Sequence, residues 1–143
     1  MQRSPSAFRL SLYGFIALAI AMGIGRFAFT PLLPMMQADA GLNLAEGGWL
    51  ASANYLGYLA GALTAAALPF TAANLLRLGL LLVVATTALM GLTDNWAGWL
   101  AWRFIAGVAS AWVLVGTATL CLGRLAALKE PRRASLVFAG VGT

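Results

Sequence analysis

A chain of 143 residues that is 62% hydrophobic and only 9% charged carries more apolar surface than so small a globule can hide, so lipid must serve as its solvent. The net charge of +5 would suit nucleic acid, but no basic stripe interleaved with aromatics accompanies it. With no His and Cys121 as the sole cysteine, a disulfide framework, a His-based metal site and a Ser/Cys–His nucleophilic device are all excluded within this sequence.

Crossing the hydrocarbon core takes about 20 mostly apolar residues in a helix. The first run that meets this test covers 12–36 and is interrupted only by Arg26. Arg3 and Arg9 followed by Ala19-Ile20-Ala21 loosely imitate a cleavable signal peptide, but the apolar stretch continues past that point and further spans follow. The second run, 47–70, has no formal charge, and Asn43 with Glu46 forms a capping-box pattern at its start. The third covers 73–92, with Arg77 close enough to its beginning to snorkel. Asp94 or Asn95 is placed to cap the fourth, 96–122, which contains Arg103. After a basic loop, 134–143 opens a fifth apolar run too short to span. These are the signs of an all-α polytopic membrane protein, with four complete spans and the start of a fifth.

The loops give an orientation. Arg3, Arg9, Arg77, Arg124, Lys129, Arg132 and Arg133 fall on one side of the alternating spans, whereas the first and third connections hold only Asp39, Glu46 and Asp94. By the positive-inside rule the N-terminus is expected in the cytoplasm. Trp49, Trp96, Trp99 and Trp102 then lie near the opposite interface, where an aromatic belt is ordinary.

Within the spans, Arg26 and Arg103 are the residues that chemistry would single out. An Arg at the centre of a spanning helix costs roughly 2.5–3.5 kcal/mol on insertion scales, so each should face the bundle interior or a wet cavity. At about 1.5 Å per residue, Arg26 lies about 21 Å from the cytoplasmic edge and Arg103 about 10 Å below the outer edge, a similar depth on helices one and four. No Asp or Glu lies deep in a span, so the partner is a backbone carbonyl, an anionic substrate, an acid reaching in from the surface (Glu46 or Asp94), or one on helices outside this sequence. Bracing or snorkelling is the structural alternative for both. Asn54 and Tyr58, four apart on helix two, share a face that would bond a solute or a neighbouring helix. Gly57 and Gly61, with Gly107 and Ala111 on helix four, form the small-residue stripes of close helix packing. Pro31 and Pro34, late in helix one, predict a bend there or the end of the helix.

The run Gly23-Ile-Gly-Arg-Phe-Ala-Phe-Thr-Pro-Leu-Leu-Pro34, then Gly48-Trp-Leu-Ala-Ser-Ala-Asn-Tyr-Leu-Gly-Tyr58, resembles the first two helices of the YbfB/YjiJ family of the major facilitator superfamily. Arg103 to Ala111 resembles the superfamily's helix-four motif, and Ala139-Gly140-Val-Gly142 the start of its glycine-rich fifth helix. The resemblance implies the N-terminal part of a six-helix bundle whose helices one and four line a central cavity. It also implies proton-coupled secondary transport of a small solute across a bacterial inner membrane, with Arg103 associated with the coupling. Protons, the lipid bilayer and the remaining C-terminal helices are the partners so implied; no cofactor, metal or nucleic acid is. The paired arginines suit an anionic solute. Two features depart from the family. Residues 69–77 supply only Arg77 of its usual Asp, Gly and basic cytoplasmic signature, and the sequence stops well short of the family's length.

A small oligomeric multi-span protein is the alternative, either drug-exporter-like or a non-transporting interaction subunit. Such exporters carry an acid inside helix one, whereas here the charge is basic. A membrane-embedded enzyme would need a richer acid–base inventory than four surface acids without His.

Overall fold

The computed structural model describes residues 6–142, and among these every regular element is helical. Arg3, which enters the orientation argument above, lies outside the described residues. Helix one is continuous from Ala7 to Ala40 but changes character along its length. It begins as α1 (Ala7–Leu18), passes through a π-helical segment (Ala19–Phe27), and resumes as α2 (Phe29–Ala40). Then follow α3 (Leu44–Ala67), α4 (Ala72–Gly91) and α5 (Trp96–Ala127), a 3₁₀ turn (Pro131–Arg133), and the short α6 (Ala134–Ala139).

Local chemistry explains the boundaries. Asn43 and Glu46 exchange the two bonds of a capping box at the start of α3, each 2.8 Å. Of the two residues considered for the α5 cap it is Asn95 that acts, its side chain accepting from the Gly98 N–H at 2.6 Å. The second apolar run reaches Phe70, but α3 ends at Ala67. Leu68 precedes Pro69 and is pushed into the extended region, φ −84° and ψ 142°.

The prolines of helix one neither end it nor mark its irregular part. Pro31 follows closely on the π-helical segment, and Pro34 is carried inside α2. The helix runs on to Gly41, whose φ of +69° supplies the left-handed stop. The irregular part lies upstream, in the π-helical segment that holds Gly23, Gly25 and Arg26.

Three helices are long and apolar enough to cross a membrane, by length and composition: Ala7–Ala40, Ala72–Gly91 and Trp96–Ala127. The second expected span, α3, has ample length at 24 residues but is not among them. Its four glycines, Glu46, Asn54, Trp49 and two tyrosines dilute its apolar character.

α5 is the hub, with α3 and α4 packed along it and helix one crossing it. The α3–α5 contact is set by absent side chains. A Cβ on Gly57 would meet the Phe104 carbonyl, one on Gly107 would meet the Asn54 carbonyl, and one on Gly61 would lie 2.6 Å from the Val108 carbonyl oxygen and 2.8 Å from the Ala111 methyl. Small residues thus let the two backbones touch. Leu18, Ala21, Val83, Ala109 and Val113 fill the centre where helix one, α4 and α5 meet, and Leu125 and Val137 continue that core toward α6. The outer faces of α3 (Leu56, Leu59, Leu63) and α4 (Leu81, Val84) remain exposed, as lipid-facing surfaces should.

Candidate functional site

The π-helical segment is where helix one and α5 exchange polar contacts. In it each N–H reaches five residues back, as in the 2.8 Å bond from Ala28 to the Gly23 carbonyl. Two donors from α5, seven residues apart and so on one face, reach its carbonyls. Ser110 Oγ donates to the Ala21 carbonyl and Arg103 Nη1 to the Gly25 carbonyl, both at 3.3 Å. Gly25 permits this approach, because a Cβ there would sit 3.1 Å from Ser110 Oγ and 3.2 Å from a Val83 methyl.

Arg103 is 5% exposed. Its guanidinium carbon lies 4.3 Å from the centroid of the Phe29 ring, and its Nε is buried with no hydrogen-bond partner. The backbone carbonyl of the same residue accepts from Asn54 Nδ2 at 3.0 Å. Asn54, 2% exposed, is therefore turned toward α5 and spent there.

Arg26 occupies a different setting. Its guanidinium carbon is 4.9 Å from the Tyr55 ring centroid, 5.1 Å from that of Tyr58 and 5.7 Å from that of Phe27. Such cation–π contacts suit a guanidinium that is part-buried, as Arg26 is. Its Nε too is buried and unpartnered. Tyr55 remains 58% exposed, so one side of this cluster is open. The structure thus brings Arg26 and Tyr58 together, and places Asn54 apart from both against Arg103.

Among the described residues neither arginine has a carboxylate at ion-pair distance. Among the described residues the ion pair found is Arg133–Glu130, 3.4 Å, on the surface. Glu46 is held in its capping box. Asp94 and Asp39 are exposed at helix ends and line the mouth of a cavity of about 640 Å³ between α2, α4 and α5. Arg103 lines this cavity as well, with Phe29, Met90, Trp99 and Trp102, whereas Arg26 does not.

Tyr55, Phe29 and Ser110 are the participants that sequence reasoning missed. The Tyr55–Tyr58 spacing of three was a usable signal for the first. The other two stand out only once the π-helical segment is known.

The comparisons with known proteins bear on what such a bundle belongs to. Residues 18–143 match the family described as the uncharacterised MFS-type transporter YbfB. The chain belongs to that family of the major facilitator superfamily. Within the superfamily it is similar to the uncharacterized MFS-type transporter YcaD of Salmonella dublin and of Salmonella gallinarum. Each is 30% identical over 125 residues, an alignment covering 80% of this chain and 30% of the relative. The YcaD protein of Salmonella arizonae aligns to the same extent. The chain thus spans about 30% of the length of the curated relatives it matches. No solved structure matches it. Family membership and the apolar helices together make this a multi-pass membrane protein, and its relatives point to a transporter rather than an enzyme.

Proposed function

We propose that this chain forms part of a secondary transporter that moves a small anionic solute across the bacterial inner membrane, driven by protons, with its N-terminus in the cytoplasm. The observation that carries the reading is Arg26, a cation at mid-span with no acid partner, stacked on Tyr55 and Tyr58 at a face left open. An ionisable residue within a membrane span is costly even when only part-buried, and by default marks a ligand or ion path. An anion reaching that face would meet a guanidinium fork, which suits carboxylate or phosphate, and tyrosine hydroxyls able to donate beside it.

The coupling is assigned to Arg103, in line with the family likeness. Its bond to the carbonyl of Gly25, the residue before Arg26, links α5 to the segment that carries the substrate cation. Sliding of helix one against α5 would therefore change the surroundings of both arginines together. The seven basic residues on one side of the spans support the orientation.

The test is uptake of radiolabelled organic and inorganic anions by proteoliposomes carrying the full-length transporter that contains this segment, with and without an imposed proton gradient. Arg26→Ala should abolish gradient-driven uptake at unchanged membrane abundance. Full activity of that variant would reduce Arg26 to a packing residue and remove the basis of the reading.

A further inference from the structure

The cavity between α2, α4 and α5 lies apart from the proposed solute face, for Arg26 takes no part in its lining, and it shares only Arg103 with the transport reading. Its volume of about 640 Å³ falls within the range of small-molecule sites, roughly 300–1,000 Å³. Its walls are apolar and aromatic: Phe29, Leu32, Met90, Trp99 and Trp102.

The polar groups around it are nearly all spent on the protein. Thr86 and Thr87 donate their hydroxyls to carbonyls of their own helix, at 2.7 Å each. Trp99 Nε1 donates to the Thr93 carbonyl at 2.6 Å, and Trp102 Nε1 to Thr93 Oγ1 at 2.8 Å. Thr93 in turn donates to the Leu89 carbonyl at 2.7 Å. What remains is Arg103, 95% buried, with a single bond at 3.3 Å and an orphaned Nε. A guanidinium carries five donors, so most of its capacity is unfilled. A buried cation without an anion is strongly disfavoured, and its field is poorly screened. Asp39 and Asp94 oppose an anion at the mouth, but both are exposed to solvent and screened there.

We propose that this cavity is a binding site for a compact organic acid, its carboxylate on Arg103 and its apolar or aromatic body against Phe29, Met90, Trp99 and Trp102. A solute from the aqueous phase and the acidic head of a lipid present the same chemistry to Arg103, and the experiment separates them.

The full-length transporter that contains this segment is placed in phosphatidylcholine nanodiscs and titrated with 4-bromobenzoate, whose bromine quenches indole on contact. 4-Bromobenzyl alcohol serves as the neutral isostere. Saturable quenching by the acid, at least roughly tenfold tighter than by the alcohol, is expected from a charge-assisted contact. Arg103→Gln should abolish that preference, while Arg124→Gln, exposed in the last turn of α5 far from the cavity, should leave it within about twofold. Leu32→Trp, which fills the cavity from its exposed rim and leaves Arg103 intact, should block binding even if Arg103→Gln fails to fold. Asp39→Asn with Asp94→Asn should tighten it severalfold. Loss of quenching when phosphatidylglycerol replaces part of the lipid identifies a lipid head as the occupant; persistence identifies a solute, and both support the site. Equal affinity for acid and alcohol, or wild-type binding by Leu32→Trp, would overturn the proposal.

Discussion

Arg103 and Gly25, 78 positions apart in sequence, are joined by a hydrogen bond from the guanidinium Nη1 to a carbonyl of the π-helical segment. That bond is long at 3.3 Å, it is the guanidinium's one hydrogen bond, and the neighbouring Nε has none. Such an arrangement stabilises little, because the cost of burying the charge is scarcely offset. Arg103→Met should therefore leave thermal stability of the chain in detergent within about 1 kcal/mol of wild type, or raise it. Arg103→Lys, which keeps the buried charge with a shorter reach, should be the less stable of the two. A large loss in the Met variant, read by thermal unfolding, would show that the residue is a brace.

The glycines divide into those that touch and those that do not. Gly107→Ala drives a methyl into the Asn54 carbonyl and close to the Tyr58 amide nitrogen, at 2.8 Å, where rigid backbone cannot give way. Overpacking of that kind costs typically 1–3 kcal/mol. A Cβ on Gly23 meets nothing within 4 Å. Gly23→Ala should then be neutral or gain a few tenths of a kcal/mol from helix propensity. The contrast is measurable by parallel unfolding of the two variants, and equal destabilisation would contradict the packing described for α3 and α5.

Asn54 contributes a single interhelical bond, Nδ2 to the Arg103 carbonyl at 3.0 Å. Interhelical polar bonds in membranes average about 0.6 kcal/mol. Asn54→Ala should cost about that much plus a small packing loss, with transport retained. Loss of transport without loss of stability would place Asn54 in the solute path instead.

The helices and their connections were legible because hydropathy and caps are local signals. The capping box of Asn43 and Glu46, the packing stripe of Gly57 and Gly61, and the burial expected of Arg103 follow from residue type and spacing alone. The π-helical segment was not legible. Gly23 and Gly25 are compatible with an ordinary helix, and Pro31 and Pro34 drew attention to a place where the chain stays regular. The segment's carbonyls at Ala21 and Gly25 are met by Ser110 and Arg103 arriving from α5, a long-range circumstance that no local pattern announces. Equal depth on helices one and four was likewise a weak guide to Arg26 and Arg103. Depth sets how far each side chain lies along the membrane normal, but the face it points from is set by helix rotation. That rotation sends Arg26 to Tyr55 and Tyr58 and Arg103 to Phe29 and the cavity.

The tyrosine pair offers the finest test of Arg26. Cation–π contacts at partly exposed sites are worth about 0.5–1 kcal/mol each, so Tyr58→Phe should keep the stack and remove only the hydroxyl. If that hydroxyl donates to the transported anion, Tyr58→Phe weakens the apparent affinity for solute by roughly tenfold, the worth of one hydrogen bond to a charged group. Maximal rate and membrane abundance should stay close to wild type. Tyr58→Leu removes ring and hydroxyl together and should lower both affinity and rate, since Arg26 loses one of the two α3 rings that orient it. A Tyr58→Phe variant with wild-type affinity, beside an inactive Tyr58→Leu, would assign the ring to positioning Arg26 and leave solute recognition to the guanidinium alone.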